Sequence, residues 1–120
     1  MIEEQYVSFE TAKLAKEKGF DIPTRYGFSE RGTLVRVDTS DNWNQDKGFY
    51  SRPTQSLLAR WLREKHKLFI EVTVDSIRLI REGDSNIVNL KNADYTNNKE
   101  EFRSYEEAME AGLQDALKLL

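Results

Sequence analysis

Between Leu57 and Leu68 the apolar periodicity of the chain changes from that of a helix to that of a strand, with almost nothing in between. Leu57, Leu58, Trp61 and Leu62 recur at i, i+1, i+4 and i+5, which is one narrow apolar helical face. Arg60, Arg63, Glu64, Lys65 and Lys67 take the other sides. Pro53 is tolerated in a first helical turn, so the helix is expected to begin near it. Leu68, Ile70, Val72 and Val74 then alternate with Phe69, Glu71, Thr73 and Asp75, the period of a half-buried strand. After Asp75-Ser76 the apolar parity flips to Ile77 and Leu79, which a period of two absorbs only through a bulge or a turn.

The rest of the chain supplies elements of the same two kinds. Ser8 suits an N-cap, Phe9, Ala12 and Ala15 form a helical stripe, and Gly19 with Phe20 fits a Schellman ending. Strands are expected at Arg25–Phe28 and Thr33–Asp38, joined as a hairpin around Ser29-Glu30-Arg31-Gly32. Asp38 to Gly48 reads as a polar loop holding one large apolar residue, Trp43. Glu82-Gly83-Asp84 marks another turn, Ile87–Leu90 a returning strand, and Lys91 to Glu101 a polar, Asn-rich loop. Ser104 and Glu107 form a capping box before a helix whose buried stripe is Met109, Leu113, Ala116, Leu117 and Leu120. Ala108 and Gly112, one turn apart on it, leave space for another backbone to come close. The segments 6–12 and 102–108 share aromatic-x-Ser-aromatic-Glu-x-Ala, either one local solution used twice or the trace of a duplication.

The order α-β-β-α-β-β-α predicts an α+β domain: an antiparallel or mixed sheet of four to five strands with three helices packed against one face. With 120 residues the expected organisation is a single domain, 1–120, large enough for one modest core. The start of the chain has neither the basic region nor the apolar run of a secretory signal, and no stretch reaches membrane-span length. There is no cysteine, which removes disulfides and thiolate metal sites and fits a reducing compartment. The cytoplasm is the expected location.

Motifs that carry chemistry are scarce. Gly27-Phe28-Ser29-Glu30-Arg31 begins like a nucleophile elbow but lacks the second glycine and sits in a hairpin turn. Asp38, Ser40, Asn42, Asn44 and Asp46 are spaced like calcium ligands, yet Trp43 holds the glycine position and Phe49 the position of the bidentate acid. No two glycines have the spacing of a phosphate loop. His66, between Lys65 and Lys67 at a helix end, has no partner named by the sequence and suits the negative end of the helix dipole. No catalytic residue, cofactor or metal site is therefore expected.

Charge is distributed unevenly. Arg52, Arg60, Arg63, Lys65 and Lys67 against Glu64 leave residues 52–67 at +4, while Glu100, Glu101, Glu106, Glu107, Glu110 and Asp115 against Arg103 and Lys118 leave 100–120 at −4. The basic second helix makes a nucleic-acid-binding module the alternative function, but the net charge of −3 opposes it, as does the absence of aromatic-basic interleaving along the sequence. Trp43, between asparagines, is either a plug on the core or an anchor for a partner. As an anchor it would share a patch with Phe49 and Tyr50, and these three residues form the expected partner-binding site.

Pro53-Thr54-Gln55-Ser56-Leu57-Leu58-Ala59-Arg60-Trp61-Leu62-Arg63-Glu64 and the run Tyr105 to Leu117 resemble a family of short uncharacterised proteins of gut anaerobic bacteria and their phages. Tyr6-Val7-Ser8-Phe9-Glu10-Thr11-Ala12 is similar as well, so the resemblance rests on the three helices. It implies a phage or mobile-element accessory protein and brings no activity or site residues with it. The expected function is accordingly a non-enzymatic protein-interaction module, a monomer or weak homodimer, with an unidentified protein partner.

Overall fold

In the computed structural model, which describes residues 4–73, 77–81, 87–91 and 104–120, the described elements run α1 (Phe9–Glu17), β1 (Thr24–Ser29), β2 (Leu34–Asp41), β3 (Phe49–Ser51), α2 (Gln55–His66), β4 (Leu68–Val72), β5 (Ile77–Arg81), β6 (Ile87–Lys91) and α3 (Tyr105–Lys118). All described strand pairing is antiparallel, in two three-stranded sheets of order β2-β1-β3 and β4-β5-β6. The α+β class and the three helices match the sequence expectation. Among the described residues the strands number six and divide between two sheets, where one sheet of four to five was expected. The added strand is β3, whose three residues are too few to show a period of their own.

The chain separates into two compact units, Met1–Leu57 and Leu58–Leu120. In the first, Ser8 caps α1 by accepting a hydrogen bond from the Thr11 amide at 3.3 Å. Gly19, at φ +93°, ends it: the Phe20 amide reaches the Ala15 carbonyl at 3.0 Å and the Gly19 amide the Lys16 carbonyl at 3.1 Å. These are the two bonds of a Schellman ending, which only a residue comfortable at positive φ closes without strain. β1 and β2 form the expected hairpin, with Phe28 opposite Leu34 and Tyr26 opposite Arg36. The register then jumps so that Thr24 faces Asp41, and β2 runs three residues past its expected end. The segment before α1 returns to the start of α2: the Val7 amide donates to the Pro53 carbonyl and the Gln55 amide to the Gln5 carbonyl. Pro53 thus precedes the helix, and Thr54 caps it through a bond from the Leu57 amide to its hydroxyl.

In the second unit, Leu58, Trp61 and Leu62 of α2 are buried, while Leu57, the last residue of the first unit, is half-buried. Lys67, at φ +56°, turns the chain from α2 directly into β4. Val72 lies opposite Ile77, so the residues flanking the parity flip belong to two paired antiparallel strands. α3 is capped by Ser104, whose hydroxyl accepts from the Glu107 amide at 3.1 Å. It buries Ala108, Met109, Leu113, Ala116 and Leu117, while Leu120 is half-buried. Gly112 admits side chains and not a backbone: a Cβ there would stand 3.0 Å from Ile70 Cγ2 and 3.2 Å from Ile77 Cγ2. The Asp75-Ser76 step, the Glu82–Asp84 turn and most of the polar stretch 91–101 lie outside the described residues. Among the described residues, no helix is long and apolar enough to cross a membrane.

Candidate functional site

Trp43 decides between the two readings of the 38–50 loop. It stands in a short 3-10 turn, Trp43–Gln45, and is only 7% exposed. Its ring lies on Gly27 of β1 so closely that a Cβ there would be 2.7 Å from Trp43 Cδ2. Its indole N–H donates to the Thr24 carbonyl at 3.0 Å. A buried indole needs such a partner, because an unpaired N–H would cost about 1–3 kcal/mol. The expected anchor is therefore a plug, closed onto one face of the β2-β1-β3 sheet.

The polar neighbours of Trp43 are not merely solvated. Asn44 donates from its amide group to the Phe20 carbonyl at 2.8 Å and accepts from the Ser51 amide at 2.8 Å. It thereby joins the segment after α1, the plug and β3. Asn42 accepts from the Asn44 amide and fixes the turn itself. Lys16 of α1 reaches across to donate to the carbonyls of Asp46 and Phe49, at 2.9 and 2.8 Å. Phe49 packs beside Trp43, ring centroids 5.9 Å apart. Tyr50, the next residue in β3, belongs to the opposite face, with Phe9 at 5.5 Å and the Lys16 ammonium 4.9 Å over its ring. The three residues expected to form one patch are thus split between two faces by the strand that carries two of them.

On that opposite face, cations and aromatic rings alternate. Arg36 of β2 stands 6.0 Å over the Tyr26 ring, and Tyr26 meets Tyr6 edge-on at 5.2 Å. The Arg52 guanidinium lies 5.0 Å from the Tyr6 ring and 5.2 Å from that of Phe28. Phe28 continues to Phe9 at 5.2 Å, and Lys13 lies 4.6 Å over Phe9. Arg36 and Lys13 are exposed; Tyr6, Phe9, Tyr26, Tyr50, Lys16 and Arg52 are half-buried. Arg52 is held by a hydrogen bond from Nε to the Val7 carbonyl at 3.2 Å. Among the described side chains, no carboxylate forms an ion pair with Arg36, Arg52, Lys13 or Lys16. Cation–π contacts of this kind are worth about 0.5–1 kcal/mol at exposed sites, enough to hold the cations in place without neutralising them.

Sequence reasoning missed this belt because its members come from four separated stretches. The expected hairpin comes within one residue of the signal: strands 25–28 and 33–38 would set Tyr26 opposite Val35, whereas the observed pairing of Phe28 with Leu34 sets it opposite Arg36.

The basic second helix offers less. Arg60, Arg63, Glu64, Lys65 and Lys67 are exposed, and Arg60 is tied to Glu64 at 3.1 Å. His66 turns its ring onto Trp61, centroids 4.8 Å apart, with Nε2 enclosed and unbonded among the described residues. Among the described residues no three His, Asp or Glu side chains gather as a metal site would require. Compared with known proteins, the chain matches no family model, no curated protein and no solved structure.

Proposed function

We propose that the protein is a non-enzymatic protein-interaction module whose contact surface is the cation–aromatic belt of its first unit. The observation that carries this reading is the cluster of Tyr6, Tyr26, Arg36 and Arg52, part-exposed and held within 5.0–6.0 Å of one another in sequence of contact. Tyrosine and arginine are the residue types enriched where a few contacts supply most of a binding energy. Their cations lack carboxylate partners among the described side chains, which favours an acidic protein surface.

Base stacking is the poorer use of the same rings, since a face of Tyr6, Tyr26, Phe9 and Tyr50 is already covered by a cation of the chain itself. Met1–Leu57 carries eight Lys or Arg against nine Asp or Glu, so no net field draws in a polyanion. We place the module in a phage or mobile-element setting on the resemblance of its helical segments, as an accessory or inhibitor protein.

The test is affinity capture from a lysate of an anaerobic gut bacterium, comparing wild type with Arg36→Ala/Lys13→Ala, two exposed changes that leave the core untouched. Proteins retained by wild type, lost by the variant and indifferent to nuclease are the expected result. Equal retention by both chains, or bound material that nuclease removes, refutes the reading.

A further inference from the structure

We infer that the free edge of β2 takes an extended acidic segment of a partner protein as a fourth strand, recognising an apolar residue and a carboxylate two positions apart. This deepens the interaction-module reading and rests on it.

β2 is an outer strand of its sheet, bonded on one side to β1, and no described segment pairs with the other side. The phase of the ladder is set at the hairpin, where the Ser29 amide donates to the Thr33 carbonyl at 2.8 Å. Residues 29 and 33 are therefore a hydrogen-bonded pair, and so are Gly27 and Val35, two positions along. Leu34 and Arg36, in the alternate positions, turn their backbone N–H and C=O groups outward. An open row of this kind is a template for another strand.

The side chains on the same two residues supply the selectivity. Leu34 is 50% exposed, the most exposed aliphatic side chain among the large hydrophobics described. Arg36 is exposed, steadied over the Tyr26 ring and without an ion-pair partner among the described side chains. They lie on one face of the sheet, two residues apart, which is the repeat of an added strand. Main-chain bonds would give affinity and the alternate side chains specificity, as in other strand-addition complexes. The charge on Arg36 selects the sign of the incoming residue, and Leu34 gives its neighbour a surface to cover. The register jump beyond Arg36 limits the docking length and favours a short segment.

The probe is an end-blocked peptide, Thr-Val-Thr-Glu-Thr-Val-Thr-Glu-Thr, against its counterpart with Lys in place of Glu, each titrated into the isotope-labelled full chain. With the Glu peptide, the amide signals of Leu34 and Arg36 are expected to shift and their hydrogen exchange to slow at least tenfold, with little change for the Lys peptide. Arg36→Glu should reverse the preference, weakening the Glu peptide tenfold or more and admitting the Lys peptide. Because Arg36 is exposed, that exchange leaves the fold intact, and a matching melting curve verifies it.

Shifts confined to the Tyr6 and Tyr26 rings would overturn edge addition while leaving the interaction module standing. Protection of Leu34 and Arg36 that grows with protein concentration alone would assign the edge to a second copy and overturn the acidic segment. Failure of the Glu peptide to bind at millimolar concentration overturns the inference by itself, since the module is judged separately by the capture experiment.

Discussion

Gly27→Ala is the change that most directly tests how the first unit is closed. Gly27 does not have a positive φ, so alanine meets no backbone objection, and in a strand it would ordinarily stabilise by about 0.4–1 kcal/mol through the unfolded state. The structure predicts the opposite sign. The new Cβ would lie 2.7, 2.8 and 3.0 Å from three atoms of the Trp43 ring, a rigid body that can yield only as a whole. Overpacking of this kind costs about 1–3 kcal/mol. Moving the ring also lengthens the 3.0 Å bond from its N–H to the Thr24 carbonyl, adding about 1 kcal/mol. With the unfolded-state gain subtracted, the expected net loss is roughly 1–3.5 kcal/mol, a fall in melting temperature of about five degrees or more.

The decisive measurement is a double-mutant cycle with Trp43→Ala, itself expected to cost about 3–5 kcal/mol. Without the indole the clash disappears, so Gly27→Ala should be neutral or mildly stabilising in that background, with a coupling of several kcal/mol by the cycle. Equal costs for Gly27→Ala in the two backgrounds, by urea unfolding followed by circular dichroism, would refute the placement of Trp43 on β1.

Two further outcomes concern the helices. Trp61→Ala, removing a side chain only 4% exposed, is expected to destabilise by about 3–5 kcal/mol; a melting curve within a degree or two of wild type would put α2 on the wrong face. Ser8→Ala and Ser104→Ala each remove a cap and should each cost about 0.5–2 kcal/mol in urea titrations, while Ser→Asp at either site should retain most of it.

What could be read from the sequence was local. The caps at Ser8 and Ser104, the Gly19 ending, the hairpin around Ser29–Gly32 and the buried face of α2 follow from contacts within a few residues, and each is present. Leu68 to Val72 announces β4 by its alternation, and Leu113, Ala116 and Leu117 announce the buried stripe of α3. β3 left no trace, because three residues do not establish a period and their partners in β1 lie twenty or more positions earlier. Trp43 stood out as the one large apolar residue of its loop, but composition could not show that it is buried, or that Asn44 and Lys16 are spent on main-chain groups from other segments. The belt was hidden for the same reason: Tyr6, Tyr26, Arg36 and Arg52 meet only after a hairpin and a sheet have formed.

The return of Gln5–Val7 to Pro53–Gln55 makes a drawstring of the first unit. Two main-chain bonds, Val7 to Pro53 at 3.1 Å and Gln55 to Gln5 at 2.8 Å, close a circuit through everything from α1 to β3. Closing a circuit that long is entropically insensitive to its contents, since each doubling of a flexible loop adds only about 0.6 kcal/mol. Variation inside it, at the Glu30–Gly32 tip or along Asp46–Gly48, therefore has little leverage on the knot, whereas loss of either bond at the neck loosens the whole perimeter at once. Such a unit tolerates a changeable rim on a fixed clasp, and the rim is where β2 exposes its edge.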